Sequence, residues 1–299
     1  MFNQLNKEKS RISIFIAIFF VSWASIFIRF AESPPIVTAF WRLFLSVLFL
    51  APLLLIRDVR SQFSPIFQLK YMRIFLISGF FLALHFFTWF QSLEYTTVAI
   101  SVLVVNTSPV WVIILSFLLF REKINNIQIL GVLSTFLGMI LISMTSFSGE
   151  FSSNLIVGVM LALIGANMVA VYFIIGRQMR ANYTVPNIPY VFFVNLYCSF
   201  FLLIFSLILG DNLIEFPIID LMWFILLALG PSLLGHAMFT YAMKQLSART
   251  VSLAVIGETI GASFLSWIIL GESLSPIIGI AGIFILSGIA LNVIYESEG

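Results

Sequence analysis

Apolar residues run along this chain in ten long stretches, at roughly 12–30, 36–56, 73–93, 97–120, 127–145, 156–176, 189–209, 221–243, 250–270 and 276–295. A membrane-crossing helix needs about 20 mostly apolar residues. The pattern therefore predicts ten membrane-spanning helices, numbered here as spans one to ten. The breaks between them carry turn or charge signals: Glu32-Ser-Pro-Pro35, Arg57 to Lys70, Arg121-Glu-Lys123, Ser146 to Asn154, Arg177 to Pro186, and Gly210 to Asp220. Ten spans take about 200 residues at the length a bilayer requires. The expectation is a chain without an extramembrane domain, whose work is done inside the bilayer.

Composition sharpens this picture. Of 299 residues, 61% are hydrophobic and 9% charged, and 33 are Phe. Such a chain cannot cover a water-facing surface, which excludes a soluble enzyme, a nucleic-acid reader and a disordered protein. The single Cys198 excludes a disulfide framework or a thiolate metal site and reads as a small buried hydrophobe. Lys7, Lys9 and Arg11 precede the first apolar stretch, as in a signal peptide. That stretch is too long for a signal h-region and no small-x-small cleavage site follows, so it reads as a retained first helix.

The positions of the charges fix an orientation. With the N-terminus inside, the inner side receives Lys7, Lys9, Arg11, Arg57, Arg60, Lys70, Arg73, Arg121, Lys123, Arg177, Arg180, Lys244 and Arg249, thirteen of the 15 basic residues. The other two are Arg29, at the outer end of span one, and Arg42, inside span two. The outer loops hold Glu32, Glu94, Glu150, Asp211, Glu215, Asp220 and Glu272. Basic residues favour the cytoplasmic side of short loops. Both termini are therefore expected in the cytoplasm, with the chain in a prokaryotic plasma (inner) membrane.

Sliding the sequence on itself by 150 positions aligns several signals. Ser92-Leu93 falls on Ala242-Met243, Thr97 on Ser247, Arg121-Glu122 on Gly271-Glu272, and Gly138 on Gly288. Spans three to five thus match spans eight to ten. Five helices per half is an odd number, so the halves, 1–145 and 146–299, would sit with opposite orientation. The expected fold is all-α integral membrane, ten transmembrane helices as two inverted five-helix repeats.

Further residues carry a family resemblance. They are Ser22-Trp23-Ala24-Ser25, Ala39-Phe40-Trp41-Arg42, Ser92 to Ser101, Thr107-Ser108-Pro109, and the Arg121-Glu122-Lys123 corner before Gly131 and Gly138. In the second half they are Leu246-Ser247-Ala248, Glu258-Thr259, and Gly271-Glu272-Ser273-Leu274-Ser275 before Gly282 and Gly288. With these the chain resembles an EamA-type permease of the drug/metabolite transporter superfamily. The resemblance implies a central cavity lined mostly by spans one to four and six to nine, with five and ten peripheral. Two departures stand out. Glu258 is followed by Thr259 where the family often has proline, and the first corner reads Arg-Glu where Gly-Glu is usual.

Ionisable residues inside a span face the bundle interior by default. Arg42 lies six residues into span two, about 9 Å below its outer end at 1.5 Å per residue. It stays charged, so it must meet an anion, carbonyls or water. It is either a site for a substrate carboxylate or phosphate, or a structural ion pair or interfacial snorkel. Glu258, between Gly257 and Gly261 in span nine, is a candidate for proton coupling, for a substrate amine, or for Arg42 itself. His85 and His236 occupy nearly equivalent places in the two halves. Trp89 shares a helical face with His85, and Tyr241 follows His236. No carboxylate or Cys stands at ligand spacing from either histidine, so no metal site is expected. Asn106, Asn167, Tyr172, Asn195 and Trp23 complete the candidate binding residues, and Pro109, Gly230 and Pro231 are candidate hinges. Small residues of spans five and ten (Gly131, Ser134, Gly138, Gly279, Gly282, Gly288) read as tight packing, within the chain or in a homodimer.

The chain is therefore expected to be a secondary transporter of a small polar metabolite, such as an amino acid or related zwitterion, working by alternating access. No Walker motif or cofactor signature is present, and the partners expected are a small-molecule substrate and the lipid bilayer. A proton-coupled exporter of hydrophobic cations or drugs is the alternative. A polytopic membrane enzyme or scaffold is the competing class, disfavoured by the lack of a nucleophile–base pair.

Overall fold

The computed structural model describes residues 2–95, 101, 104–121, 124–146, 153–271 and 276–295. Among these every regular element is helical. The helices are α1 (Phe2–Val21), α2 (Ala24–Phe30), α3 (Pro35–Leu50), α4 (Arg57–Ser61), α5 (Leu69–Tyr95), α6 (Ser108–Phe120) and α7 (Asn126–Ser146). They continue with α8 (Ser153–Arg177), α9 (Asn187–Leu209), α10 (Asp220–Leu227), α11 (Ala237–Ala242), α12 (Ala248–Val255), α13 (Gly257–Leu270) and α14 (Pro276–Ile294). Seven helical stretches among the described residues are long and apolar enough to cross a membrane. They are Lys7–Phe30, Pro35–Leu55, Leu69–Ser92, Ile156–Asn182, Asn187–Leu209, Asp220–Ala242 and Ala248–Ile269. Three shorter apolar helices, Ser108–Phe120, Asn126–Leu141 and Gly279–Ile294, lie where spans four, five and ten were expected. The chain is an all-α, multi-pass integral membrane protein. Its outside carries bare hydrophobic side chains such as Phe19, Leu118, Leu133, Ile156, Phe200 and Ile283, which suits contact with lipid.

Spans one, eight and nine are interrupted, each for a local reason. Span one breaks at Ser22–Trp23, where the Ser22 hydroxyl donates to Ile18 O (2.7 Å) and Trp23 N bonds back three residues to Phe20 O. Span eight is wound as a π-helix over Ala228–His236, between α10 and α11. Pro231 has no N–H to give to the helical ladder, and a π-bulge absorbs the mismatch. The expected interruption at Gly230-Pro231 is therefore a change of winding. Span nine tightens at Ile256, where α12 hands over to α13 through Ile256 N→Leu253 O and Thr259 N→Ile256 O. Pro109 behaves differently from a mid-helix kink. It sits in the first turn of α6, after a break at Asn106–Thr107, where its missing N–H costs nothing.

Helix packing is orderly. The helix α5 lies on α8 and α9, and α9 also packs on α3; α1 packs on the π-wound segment and α11; α6 contacts α8 and α12; α7 lies along α14. Small residues set the last contact: a Cβ on Gly288 would strike Gly131 O, and one on Gly131 would lie 2.7 Å from Gly288 O. Gly131, Gly138 and Gly288 are thus spent on the contact between spans five and ten, whereas Gly282 faces Ile260 and a Cβ on Gly279 would meet nothing within 4 Å.

The two ends of the bundle differ in charge, and each is tied within itself. At the basic end Arg11 pairs with Glu8 (2.8 Å) and donates to Ile294 O, and Lys70 lies 4.4 Å from the centre of the Tyr183 ring. At the acidic end Trp41 Nε1 donates to Leu213 O (2.8 Å), while the Asp220 carboxylate accepts from Glu32 N, Ser33 N and the Ser33 hydroxyl. Glu122, Lys123 and Glu272 to Ser275, the corners quoted for the repeat, lie outside the described residues, as do Thr97 and Glu150.

Candidate functional site

One chamber sits inside the bundle, and five spans build it. From α3 comes Arg42; from α5, Leu82 and Phe86; from α8, Tyr172. The helix α9 adds Tyr190, Val191, Val194 and Asn195, and span eight adds Ser232, His236, Ala237 and Thr240. Its volume is about 20 Å³, room for one water molecule. Anything larger requires the helices to part.

Arg42 is 4% exposed. Its Nε–H donates to Ser232 Oγ at 2.8 Å, and its guanidinium carbon lies 5.6 Å from the centre of the Phe86 ring. That leaves the four N–H groups of the two Nη atoms, and neither Nη has a hydrogen-bond partner among the described residues. Ser232 reaches Arg42 because it lies on the π-wound stretch directly after Pro231. Around this cation the chamber is polar only in places. Asn195 spends its Nδ2 on Ser46 Oγ (2.8 Å), Tyr190 shares a hydrogen bond with Ser78 (3.2 Å), and Thr240 donates to Asn187 Oδ1 (2.8 Å). The rest of the wall is Leu43, Leu82, Phe86, Val191, Val194 and Ala237, with Tyr172 and His236.

Toward the basic end the chamber is closed by Arg180. It is 3% exposed and donates from Nε to Thr240 O (3.0 Å) and from Nη1 to Val185 O. Arg177 adds a bond from Nη1 to Met243 O (2.8 Å). Toward the acidic end aromatic rings stack: Phe30 on Trp223 (4.9 Å between centres) and Phe27 on Trp223 (6.1 Å).

Of the residues singled out from sequence, the chamber brings together Arg42, Tyr172, Asn195 and His236. His85 lies just behind it, its Nδ1–H on Gly165 O (3.0 Å) and its ring stacked on Trp89 (5.7 Å). The Trp89 Nε1 has no partner among the described residues. Glu258 is half-buried on α13, outside the chamber lining, and no ion pair within 4 Å joins it to Arg42. Trp23 stacks on Phe27 (5.7 Å), Asn106 Nδ2 donates to Thr259 Oγ1 (3.4 Å), and Asn167 Nδ2 bonds its own helix at Leu163 O. Tyr241 lies outside the lining as well. Among the described residues, spans one, four and nine contribute no side chain to the lining of this chamber.

Sequence reasoning missed Ser232 and Arg180. A serine in an apolar run carries no signal of its own. Arg180 was counted as an inner-loop charge, yet the helix of span six runs on through Gln178–Asn182 and buries it. Arg249, counted likewise, is 2% exposed.

The sequence profile of the EamA-like transporter family matches this chain twice, over residues 9–144 and 156–294. An uncharacterized transporter of Archaeoglobus fulgidus is 25% identical over 296 residues, covering 97% of this chain and 99% of that protein. The uncharacterized transporter YdfC of Bacillus subtilis is 24% identical over 221 residues, 73% of this chain and 70% of its own length. A solved crystal structure superposes with a TM-score of 0.78 at 20% identity, covering 95% of this chain and 96% of that one, a likeness of fold.

Proposed function

This chain belongs to the EamA-like transporter family, and on that premise we propose that it is a secondary transporter moving a small polar metabolite by alternating access around the Arg42 chamber. The observation that carries this is a charged guanidinium, buried in the bundle, whose two Nη atoms are left without a hydrogen-bond partner among the described residues beside a chamber with room for one water. A buried cation with no ion-pair partner within 4 Å among the described residues is costly. A substrate anion arriving in the chamber offsets that cost.

Alternating access rests on ten spans arranged as two inverted repeats, 1–145 and 146–299. The pairing of helices supports it: α5 on α8 has its counterpart in span eight on α1, while α7 with α14, α3 with α9 and α6 with α12 pair spans 150 positions apart. Two similar halves can open to either side at nearly equal energy. Both termini are assigned to the cytoplasmic side of a prokaryotic plasma membrane, from the basic loops.

The substrate reading is an amino acid or related zwitterion. Glu258 supports a second reading, a proton-coupled exporter of hydrophobic cations, because its carboxylate has no ion pair among the described residues. Uptake into proteoliposomes separates them. Arg42→Gln should abolish uptake of the zwitterion, and Glu258→Gln should leave binding intact while ending accumulation driven by a proton gradient. Uptake undiminished by Arg42→Gln would sink the chamber as the transport site.

A further inference from the structure

We propose that the Arg42 chamber recognises a single carboxylate attached to an apolar body, with Ser232 as the residue that positions the guanidinium, and that a substrate ammonium group is not required. The inference rests on the chamber being the transport site, and it narrows the substrate class beyond a zwitterion.

The geometry of Arg42 decides the anion. Its Nε edge is taken by Ser232 and one face lies near Phe86, so only the edge bearing the two Nη atoms is available. Two parallel N–H donors match the two oxygens of a planar carboxylate. Arg42 is the only charged side chain among the lining residues, and Glu258 acts on it electrostatically from outside the lining, so a dianion such as phosphate leaves an excess of negative charge that a monoanion does not. No acidic side chain lines it among the described residues, since Glu258 lies elsewhere. An ammonium group therefore meets no carboxylate there. Beyond Arg42 and Ser232 the lining is Leu43, Leu82, Phe86, Val191, Val194 and Ala237 with Tyr172, Tyr190, Asn195, His236 and Thr240. Tyr190, Asn195 and Thr240 hydrogen-bond to Ser78, Ser46 and Asn187, so the six apolar side chains favour an apolar body.

Ser232 acts through Arg42. A guanidinium anchored at Nε presents its other edge in one orientation, and without the anchor it rotates and loses the two-point match. Because Ser232 follows Pro231 on the π-wound stretch, the anion held by span two is also registered by span eight.

Three probes share one body and differ only in charge: isocaproate (carboxylate alone), leucine (carboxylate and ammonium) and isoamylamine (ammonium alone). Each is tested on the full-length protein for binding by thermal shift and for uptake into proteoliposomes. The expected result is that isocaproate and leucine bind and are transported while isoamylamine does neither. Ser232→Val should raise KM for isocaproate about tenfold with little change in maximal rate, as loss of a charge-assisted bond requires. Ser232→Thr, which has the same shape and keeps the hydroxyl, should restore it. Should the Val variant fail to fold, Ser232→Ala replaces it against the same Thr control. Binding of isoamylamine but not isocaproate, binding of leucine alone, binding of none of the three, or an unchanged KM in Ser232→Val would each overturn the proposal. If carboxylates bind but are not transported, the recognition site stands and the transport reading falls. If only the amine is transported, the reverse holds.

Discussion

Arg121 and Gly271, 150 positions apart, close α6 and α13 in the same left-handed conformation, with φ of 53° and 67°. Glycine takes this shape freely, whereas a residue with a Cβ loses roughly 1–2 kcal/mol in it. Arg121 is exposed and its backbone N–H bonds Phe117 O, so only the backbone holds it there. Arg121→Gly should stabilise the protein by about 1 kcal/mol, less the entropy glycine adds to the unfolded chain. Gly271→Ala should destabilise by about the same amount. Thermal unfolding of the purified protein reads both. A lower midpoint for Arg121→Gly would mean that the arginine side chain, and not the turn, maintains that corner.

Spans one and nine cross where Ser22 meets Gly261. A Cβ on Gly261 would land on the Ser22 hydroxyl and lie 2.6 Å from its Cβ. Gly261→Ala should therefore cost about 1–3 kcal/mol through overpacking. Ser22→Gly in the same chain removes the obstruction and should recover most of that loss. A double-mutant cycle on thermal stability measures the coupling. Additive effects would show that the two residues do not compete for one space.

The contact between α7 and α14 admits no such rescue. A Cβ on Gly288 meets the Gly131 carbonyl oxygen and lies 2.8 Å from Thr135 N, both of them backbone. Backbone cannot rotate away, so Gly288→Ala should force the helices apart. The expected outcome is a sharp fall in the yield of monodisperse protein on size exclusion. A normal yield would mean that the two helices slide past one another without loss.

These particulars show what was legible in the sequence. Apolar runs and the sorting of Lys and Arg placed the membrane helices, because a bilayer constrains length and charge in ways a single sequence displays. Gly230-Pro231 marked the interruption of span eight, since proline acts locally. The chamber was harder. Arg42, Tyr172, Asn195 and His236 stood out as polar residues deep in apolar runs, but nothing local separates them from Asn167, which bonds its own helix, or from Glu258, which lies outside the lining. That choice depends on how far each helix is rotated about its axis. Packing such as Gly235 against Val21 settles it, and no single span encodes it.

The two closures of the chamber differ in chemistry, so each should be separable by mutation. At the acidic end the Asp220 carboxylate, fully buried, gathers two backbone N–H groups and a hydroxyl from Glu32 and Ser33. At the basic end Arg180 gives hydrogen bonds to Thr240 O and Val185 O. Removing either charge weakens the contacts of the closed form and shifts the population toward opening at that end. A change of about 1.4 kcal/mol corresponds to tenfold. Ala237 lines the chamber and is small, so Ala237→Cys, in a Cys198→Ser background, reports access to a membrane-impermeant thiol reagent. Asp220→Asn should raise labelling about tenfold from the acidic end only. Arg180→Gln should do so from the basic end only. Faster labelling from the same end in both variants, or from neither, would contradict the assignment of these residues to opposite closures.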